Sequence, residues 1–437
     1  MPGRSGQPGM TSGPSRILEV SNSFRETEIG AIPANWDVVR LGAVLHEVDL
    51  RLRHFEGPQP PILSLTKDRG LMLQSERFDK RIATKDVSTY KVVRKGWLAY
   101  NPYVIWEGAI HALRDREYGL VSPVYPVWEA VHADVYFLDY LLRTPLLLKT
   151  YLRFCSGTVK RRRSIRKQAF LDIKIPLPPL PEQRRIAHVL STIQQAIAAQ
   201  EQVIAAAREL KRSLMQRLFT YGPGREPAPT KDTEIGPVPE HWEVVNLGEA
   251  MEITSGQVDP REAPYRNMIH IGPEDVEEGT GRILSPRTAE ELRLKSGKYL
   301  FTPEHVVYSK IRPYLRKVAL PSFTGICSAD MYPLRPMGAL RDSRFLYYLL
   351  LSDQFTRQAI SHQQRTGIPK INRAQLQSIS IPLPQDVDEQ ARVAGILDAA
   401  RRKIDAELDR LAALQALFQS MLQQLMTGQI RVKDIDL

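Results

Sequence analysis

One element occurs twice in this chain and constrains its fold more than any other feature. Residues 175–221 and 381–428 both open with Ile-Pro-Leu-Pro and continue as a long amphipathic pattern. Both also carry Glu-Gln in the first turn, at 182–183 and 389–390. Apolar residues then recur at alternating four- and three-residue steps over about four heptads. A period near 3.5 held for that length is typical of a coiled-coil seam.

Each predicted helix would be a rod of roughly 55 Å, about three times the usual helix length. This length disfavours the alternative of two ordinary core helices. Gln200 and Glu407 interrupt the two seams at equivalent positions, which would fix the register at some cost in stability. The predicted spacer-helix seam consists of Leu190, Ile193, Ile197, Ile204, Leu214 and Leu218 in the first helix, and Leu397, Ile404, Leu411, Leu414, Phe418 and Leu425 in the second.

A second repeated motif opens each half of the chain. Residues 28–42 contain Glu-Ile-Gly, a proline, Trp36 and Leu-Gly, and residues 234–248 repeat this order around Trp242. The repeat unit is therefore about half of the chain, which indicates tandem domains rather than a solenoid. A length of 437 residues also exceeds what one hydrophobic core normally organises.

Each half is predicted to be a mixed α and β domain followed by its long helix, so the fold class is α+β. Short apolar alternations broken by Pro and Gly indicate strands, and residues 137–153 and 345–361 indicate helices. The predicted segments are a Gly/Ser/Pro-rich disordered leader (1–23), a first globular domain (24–180), a first long helix (181–221), a linker (222–231), a second globular domain (232–386), a second long helix (387–428) and a C-terminal tail (429–437).

Composition restricts the partners and the compartment. The net charge of +11 favours a polyanionic partner. The only cysteines, Cys155 and Cys327, have no metal-ligand spacing and cannot form a disulfide framework, which fits a reducing compartment. No apolar run approaches the roughly 18 residues that a membrane span requires. We therefore expect a cytoplasmic protein.

Sequence motifs of enzymes are missing. The chain has no Gly-rich phosphate loop and no His-Glu-x-x-His motif, and its nine histidines lack ligand spacing. Asn101-Pro102-Tyr103 is similar to part of the Asn-Pro-Pro-Tyr motif of adenine methyltransferases, but lacks the second proline, and we interpret it as a strand-to-turn junction. Asp172-Ile-Lys174 has the spacing of some nuclease motifs but lies in an alternating strand. We predict no catalytic residue and no metal site.

Basic clusters are the positive functional signal. Lys and Arg in loops neutralise phosphates, and Arg also forms paired hydrogen bonds with guanine. A solvated surface is the alternative for any single cluster, but corresponding positions in both halves favour nucleic acid. The predicted DNA-binding residues are Lys160, Arg161, Arg162, Arg163, Arg166 and Lys167; Lys310, Arg312, Tyr314, Arg316 and Lys317; and Arg365, Lys370 and Arg373.

In the order and duplication of these motifs, the chain resembles the specificity subunit of Type I restriction–modification systems. The similarity covers nearly everything after about residue 24. It depends on the paired helix entries (175–183 and 381–390), the paired openings (30–36 and 236–242) and the stretches 307–317 and 119–125.

The resemblance implies two target recognition domains, each reading one half of a bipartite, asymmetric DNA site. It also implies that the long helices pack antiparallel as a spacer with pseudo-two-fold symmetry. The expected partners are double-stranded DNA, two adenine methyltransferase (modification) subunits and ATP-dependent restriction subunits. S-adenosylmethionine, ATP and magnesium would belong to those partners, and this chain would be non-catalytic with no cofactor of its own.

Two other classes of function remain open at this point. One is a coiled-coil scaffold whose globular domains bind protein without reading DNA, against which the basic and aromatic loops argue. The other is a single-chain restriction and methylation enzyme. The length leaves no room for it, because both halves are already assigned to a recognition domain and a helix.

Overall fold

The computed structural model describes residues 18–20, 23–78, 82–84, 86–156, 163–362 and 369–432. The chain forms two compact units. Unit 1 comprises Met1–Ala199 and Leu411–Leu437, and unit 2 comprises Gln200–Arg410. Each long helix therefore begins in one unit and ends in the other.

Unit 1 contains a four-stranded antiparallel sheet of order β10-β9-β12-β5, surrounded by two-stranded pairs and helices. Its strands are β1 (Leu18–Val20), β2 (Phe24–Arg25), β3 (Ile32–Pro33), β4 (Asp37–Arg40), β5 (Leu45–Val48), β6 (Leu63–Thr66), β7 (Gly70–Leu73), β8 (Lys91–Arg94), β9 (Trp97–Tyr100), β10 (Ile110–Ala112), β11 (Tyr118–Val121), β12 (Val127–Ala130), β13 (Cys155–Ser156), β14 (Ser164–Ile165) and β15 (Lys174–Leu177). Its helices are α1 (Gln74–Arg77), α2 (Val135–Leu141), α3 (Pro145–Phe154), α4 (Lys167–Leu171) and the first part of the long α5 (Leu180–Tyr221).

Unit 2 repeats this frame and adds a larger sheet. Its strands are β16 (Thr230–Thr233), β17 (Gly236–Pro239), β18 (Glu243–Asn246), β19 (Met251–Ile253), β20 (Gln257–Val258), β21 (Ile269–Ile271), β22 (Arg287–Thr288), β23 (Lys298–Phe301), β24 (Val306–Ser309), β25 (Val318–Ala319), β26 (Gly325–Cys327), β27 (Met331–Pro336) and β28 (Ser380–Leu383). Its helices are α6 (Leu247–Ala250), α7 (Ser343–Leu351), α8 (Asp353–Ser361), α9 (Arg373–Gln377) and the first part of the long α10 (Val387–Met426). The four-stranded sheet β19-β27-β24-β25 matches the sheet of unit 1 strand for strand, and β20-β23-β26-β21-β22 forms the larger sheet.

The repeated sequence motifs occupy equivalent positions in the two units. In unit 1 the Ile-Pro-Leu strand β15 pairs with β4, which follows the buried Trp36. In unit 2 β28 pairs in the same register with β18, which follows the buried Trp242. The predicted tandem α+β repeat is therefore confirmed.

The two long helices run in opposite directions, and unit 2 shows this from its own contacts. Gln200 of α5 hydrogen-bonds Glu407 of α10, and Gly222 at the end of α5 lies beside Glu389 at the start of α10. All twelve predicted seam residues are buried or half-buried, whereas most of the positions flanking them are exposed. Leu190, Leu218, Leu397 and Leu425 are fully buried, and Gln200, Ile204 and Ile404 are buried between half-buried stretches of the seam.

The glutamine of each Glu-Gln pair connects its long helix to an earlier helix of the same unit, α2 in unit 1 and α7 in unit 2. Gln183 accepts a hydrogen bond from the backbone N–H of Asp134, the N-cap of α2, at 2.8 Å. Gln390 accepts one at 3.3 Å from the N–H of Asp342, the N-cap of α7. The motif therefore recurs because both units dock their long helix by the same joint.

A tyrosine of α2 or α7 makes a second joint in each unit. Tyr140 donates its hydroxyl hydrogen to Gln194 at 2.8 Å, and Tyr348 donates to Asp398 at 2.7 Å. Burial, with the hydrogen bond to Asp398, raises the pKa of Tyr348, so this phenol remains a donor. These joints orient the globular part of each unit on its helices.

Several predicted boundaries need correction. Residues 137–153 and 345–361 were each expected to be one helix but form two, because Pro145 starts α3 and Ser352 caps α8. The predicted leader contains β1, which pairs with the last strand β29 (Ile430–Val432) in the predicted tail. Such a pairing between distant, three-residue segments leaves no local pattern in the sequence. The prediction for residues 1–17 lies outside the described residues.

The linker and the second helix also differ slightly from expectation. β16 begins inside the predicted linker 222–231, and α10 ends at Met426 rather than at 428. Gly428 has a φ of +68°, a left-handed conformation that favours glycine and stops the helix. These shifts leave the order of the predicted segments unchanged.

Replacing Gln200 tests the polar contact inside the seam. Gln200 is 5% exposed and donates to both the Glu407 carboxylate (2.7 Å) and its backbone carbonyl (3.1 Å). We expect Gln200→Ala to lower stability by about 1–3 kcal/mol, because a carboxylate then loses its buried donor. The measurement is thermal unfolding of the purified chain. Gln202→Ala, at an exposed position on the same helix, is the matched control. Equal melting of the two variants would contradict the assigned role.

Replacing Arg431 tests the ion pair that joins the C-terminal strand β29 to the start of α5 in unit 1. Its guanidinium makes a paired ion contact with Glu182, whose side chain is 5% exposed. We expect Arg431→Ala to destabilise unit 1 by about 2–4 kcal/mol, less than for a fully buried pair because Arg431 is a quarter exposed. The double variant Glu182→Gln/Arg431→Met should recover most of this loss, since Gln still accepts from Trp36. Chemical denaturation followed by tryptophan fluorescence measures both. A double variant no more stable than Arg431→Ala would refute the explanation.

Candidate nucleic-acid interface

The candidate interface of unit 2 is a tight turn that follows the buried strand β24. Residues 310–317, here called the basic turn, wrap around a 3-10 turn at Pro313–Leu315. Ser309 N–H donates to the Lys317 carbonyl at 3.0 Å and closes the turn at its base. The turn therefore starts and ends on the four-stranded sheet.

A second predicted cluster packs directly against the basic turn. The backbone N–H of Arg312 donates to the backbone carbonyl of Pro369 at 2.7 Å, and that of Ile371 donates to the backbone carbonyl of Lys310 at 2.9 Å. The structure thus brings together two stretches, 310–317 and 369–373, that the sequence predicted separately.

Most cationic side chains of this surface bind other groups of the same chain. Lys310 donates to the Ala329 carbonyl at 2.7 Å, Lys317 to that of Pro273 at 2.6 Å, and Arg316 pairs with Asp353 at 2.6 Å. Arg373 donates to the carbonyls of Ile253 and Thr254 and lies over the ring of Tyr332, which Lys310 also approaches. These four side chains hold the surface together.

Three predicted residues of unit 2 are exposed and uncommitted. Arg312 and Lys370 are exposed, and neither makes a side-chain hydrogen bond or ion pair with any described residue. Tyr314 is 46% exposed. An arginine, a lysine and an aromatic ring on one rigid turn are suited to contact phosphates and bases.

Unit 1 carries the same turn with different side chains. Ile165 N–H donates to Pro102, as Ile371 does to Lys310 in unit 2, and both turns contain a 3-10 segment, Ile105–Glu107 in unit 1. Val104 then occupies the place of Arg312, and Trp106 that of Tyr314. The two units therefore share a frame but present unlike surfaces.

The remaining predicted residues belong to unit 1 or fall outside the description. Arg166 is exposed at the N-cap of α4, without a side-chain partner among the described residues, whereas Lys167 pairs with Glu47 at 2.6 Å. Arg163 is half-buried. Lys160, Arg161, Arg162 and Arg365 lie outside the described residues.

Tyr103 and Val124 are further candidates for DNA contact that the sequence analysis does not select. They are 48% and 53% exposed and lie on the turn of unit 1 and beside it, where Asn101 donates to Tyr125 at 3.0 Å. Aligning the buried Tyr100 with Tyr308 would have shown that residues 102–106 are the counterpart of the basic turn. The interpretation of Asn101-Pro102-Tyr103 as a strand-to-turn junction is confirmed, since β9 ends at Tyr100.

The described part of the chain contains no group of three or more His, Cys, Asp or Glu side chains placed to hold a metal ion. Cys327 is buried and Cys155 half-buried, and each is a free thiol. The helices within the same described ranges include none long and apolar enough to cross a membrane. Asp172 and Lys174 pair with Arg40 and Glu28 respectively. Lys174 begins β15 as predicted, but Asp172 is the C-cap of α4 rather than part of the strand.

Comparison with known proteins identifies the family of this chain. The model of the Type I restriction modification DNA specificity domain matches residues 111–208 and 239–416, one region in each half. The specificity subunit of the Type I restriction enzyme EcoDI from Escherichia coli is 29% identical over 321 residues, covering 65% of this chain and 71% of that protein. The MjaVIII specificity subunit from Methanocaldococcus jannaschii is 26% identical over 431 residues, covering 95% and 97%.

Solved structures support the fold. The Type I restriction–modification S subunit from M. genitalium superposes with a TM-score of 0.55 at 13% identity, over 92% of this chain and 97% of that one. A chain from a structure of the type I R-M system, concerned with complex assembly and conformational transition, gives 0.54 at 20% identity, over 91% and 99%. Since the family model covers more than half of the chain, the protein belongs to the Type I restriction–modification DNA specificity subunits, which recognise a DNA sequence and are not themselves catalytic.

Proposed function

We propose that the chain reads a bipartite, asymmetric DNA site, one half with each unit. The observation that carries this proposal is the pair of equivalent turns with unlike side chains. Unit 2 presents Arg312, Tyr314 and Lys370, while unit 1 has Val104 and Trp106 in the places of Arg312 and Tyr314 and exposes Tyr103 and Arg166 beside them. Different side chains on the same frame would contact different base edges, so the two half-sites would differ in sequence.

The long helices would set the gap between the half-sites. α5 has 42 residues and α10 has 40, and neither is interrupted. At 1.5 Å per residue these lengths correspond to about 63 and 60 Å. A paired, antiparallel seam resists bending better than a single helix, so the gap should be fixed rather than variable.

An exposed second stripe on each helix supports a scaffolding role. Its members are spaced by four and three residues, as in a coiled coil, and include Leu210 (57% exposed) and Leu417 (45% exposed) at equivalent positions. The stripe consists of Ala199, Val203, Ala206, Leu210 and Ser213 on α5, and of Ala406, Arg410, Ala413, Leu417 and Ser420 on α10. Two equivalent stripes would bind helices of two copies of one partner, the modification subunit, and restriction subunits would join that complex.

The chemistry of the complex would lie in the partners. S-adenosylmethionine would bind to the modification subunits, and ATP and magnesium to the restriction subunits, leaving this chain without a cofactor. A subunit that acts on chromosomal DNA and carries free thiols would work in the cytoplasm.

The first test is the pattern of DNA methylation. We expect co-expression of the chain with its cognate modification subunit to methylate adenines within a two-part motif with a fixed gap, because each unit reads one segment. Modified adenines are mapped by single-molecule sequencing of the host genome. Cells with the modification subunit alone provide the baseline. Unmodified DNA despite a stable complex would contradict the proposal.

Lengthening both helices tests the spacer. Inserting one heptad at equivalent points of α5 and α10 preserves the seam and adds about 10 Å. The gap of the motif should grow by about three base pairs, at 3.4 Å each, while both half-sites keep their sequence. The same methylation mapping reads out the change.

A matched control exchanges seven residues at those points for the inserted heptad, so that the composition changes but the length does not. That variant should keep the original gap. An unchanged gap in a well-assembled, lengthened complex would show that the helices do not determine the spacing.

A further inference from the structure

The basic turn is rigid, and its rigidity comes from its own cations. Lys310 and Lys317 donate to backbone carbonyls that lie 19 and 44 positions away in sequence, and Arg316 pairs with Asp353. Pro313 is buried beneath the turn. Positive charge that predicts DNA contact from sequence therefore serves here to fix the backbone.

Arg312 differs from these neighbours in its side chain, while Arg316 shares its left-handed backbone. Its φ of +49° is left-handed, a conformation that non-glycine residues adopt only when surrounding contacts enforce it. Its N–H is held by Pro369, and its carbonyl accepts from Leu315 at 2.9 Å. The guanidinium is exposed and makes no hydrogen bond or ion pair with any described residue. The structure thus orders the backbone of Arg312 and leaves its charged group available.

We propose that Arg312 reads a guanine in the half-site that unit 2 recognises, a proposal that rests on the proposed function. A guanidinium offers two parallel N–H donors that match the O6 and N7 acceptors of guanine in the major groove. Two backbone hydrogen bonds fix the position from which the guanidinium extends, and a paired contact with one base edge depends on such a fixed position. The exposed Tyr314, two residues on, would pack beside the same base step or its sugar.

Unit 1 cannot make this contact from its equivalent turn. Val104 stands in the place of Arg312 and has no side-chain donor, and the exposed residues of that turn are Tyr103 and Glu107. The guanine read by Arg312 would therefore be specified in one half of the site alone.

The experiment compares Arg312→Lys and Arg312→Ala with the wild-type chain, each assembled with modification subunits. The probes are duplexes carrying the wild-type site and duplexes in which one base pair at a time is exchanged. Binding is measured by fluorescence anisotropy at a single salt concentration. Wild type should prefer guanine at one position by about 5- to 150-fold. Both variants should lose that preference while keeping discrimination at every other position.

Arg293 provides the matched control. It is exposed, has a left-handed φ of +51°, and makes no side-chain hydrogen bond or ion pair with the described residues. Arg293→Lys and Arg293→Ala should leave discrimination unchanged at all positions. They correct for loss of charge and for backbone effects.

The possible outcomes distinguish the proposal about Arg312 from the proposed function on which it rests. A preference lost at one guanine, in Arg312→Lys as well as Arg312→Ala, supports base reading. Uniform weakening on all duplexes would make Arg312 a phosphate contact and overturn the proposal, as would unchanged discrimination or a half-site without a G·C pair. A wild-type complex with no two-part motif would overturn the proposed function itself.

Discussion

The structure depends on the burial of two long apolar stripes. A helix of forty residues gains little from intrinsic propensity alone and is stabilised mainly by packing of its apolar face. Leu190 and Leu425 lie in the core of unit 1, and Leu218 and Leu397 in that of unit 2. The ends of both helices therefore pack within the globular cores, whereas in the middle of the seam α5 and α10 pack against each other. The Gln200–Glu407 contact lies in this middle region, beside the buried Ile204 and Ile404.

The repeated motifs form structural joints within each unit. Gln183 and Gln390 each satisfy the backbone of a helix N-cap, and Trp36 and Trp242 fill the space beneath the strands that follow them. Changing any of these would tilt a globular part on its helix, because a buried polar group would be left unpaired or a large void would open. Under the proposed function, a turn that contacts bases is useful only when its direction is fixed. This accounts for identical joints beneath turns that differ.

The sequence predicted the long helices to within two residues because a 3.5-residue period sustained over so many turns has few structural interpretations. It also predicted the tandem frame, since the motifs recur in order. It did not predict the pairing of β1 with β29, which joins segments about 410 positions apart. Nor could a count of charges reveal that Lys317 is committed to a carbonyl 44 positions away while Arg312 is not. Commitment of a cation depends on tertiary neighbours, which composition does not record.

This division between committed and free side chains limits how such a protein can change its target. The buried Tyr308 and the ion pair of Arg316 with Asp353 fix the path of the turn, so their replacement would loosen every contact made from it. Arg312, Tyr314 and Lys370 contribute little to the core, and surface substitutions of this kind usually alter stability by less than about 0.5 kcal/mol. Under the proposed function, new base preferences would therefore arise at the exposed positions while the frame is retained. The divergence of the two turns, on joints that remain the same, is the pattern that this physical separation produces.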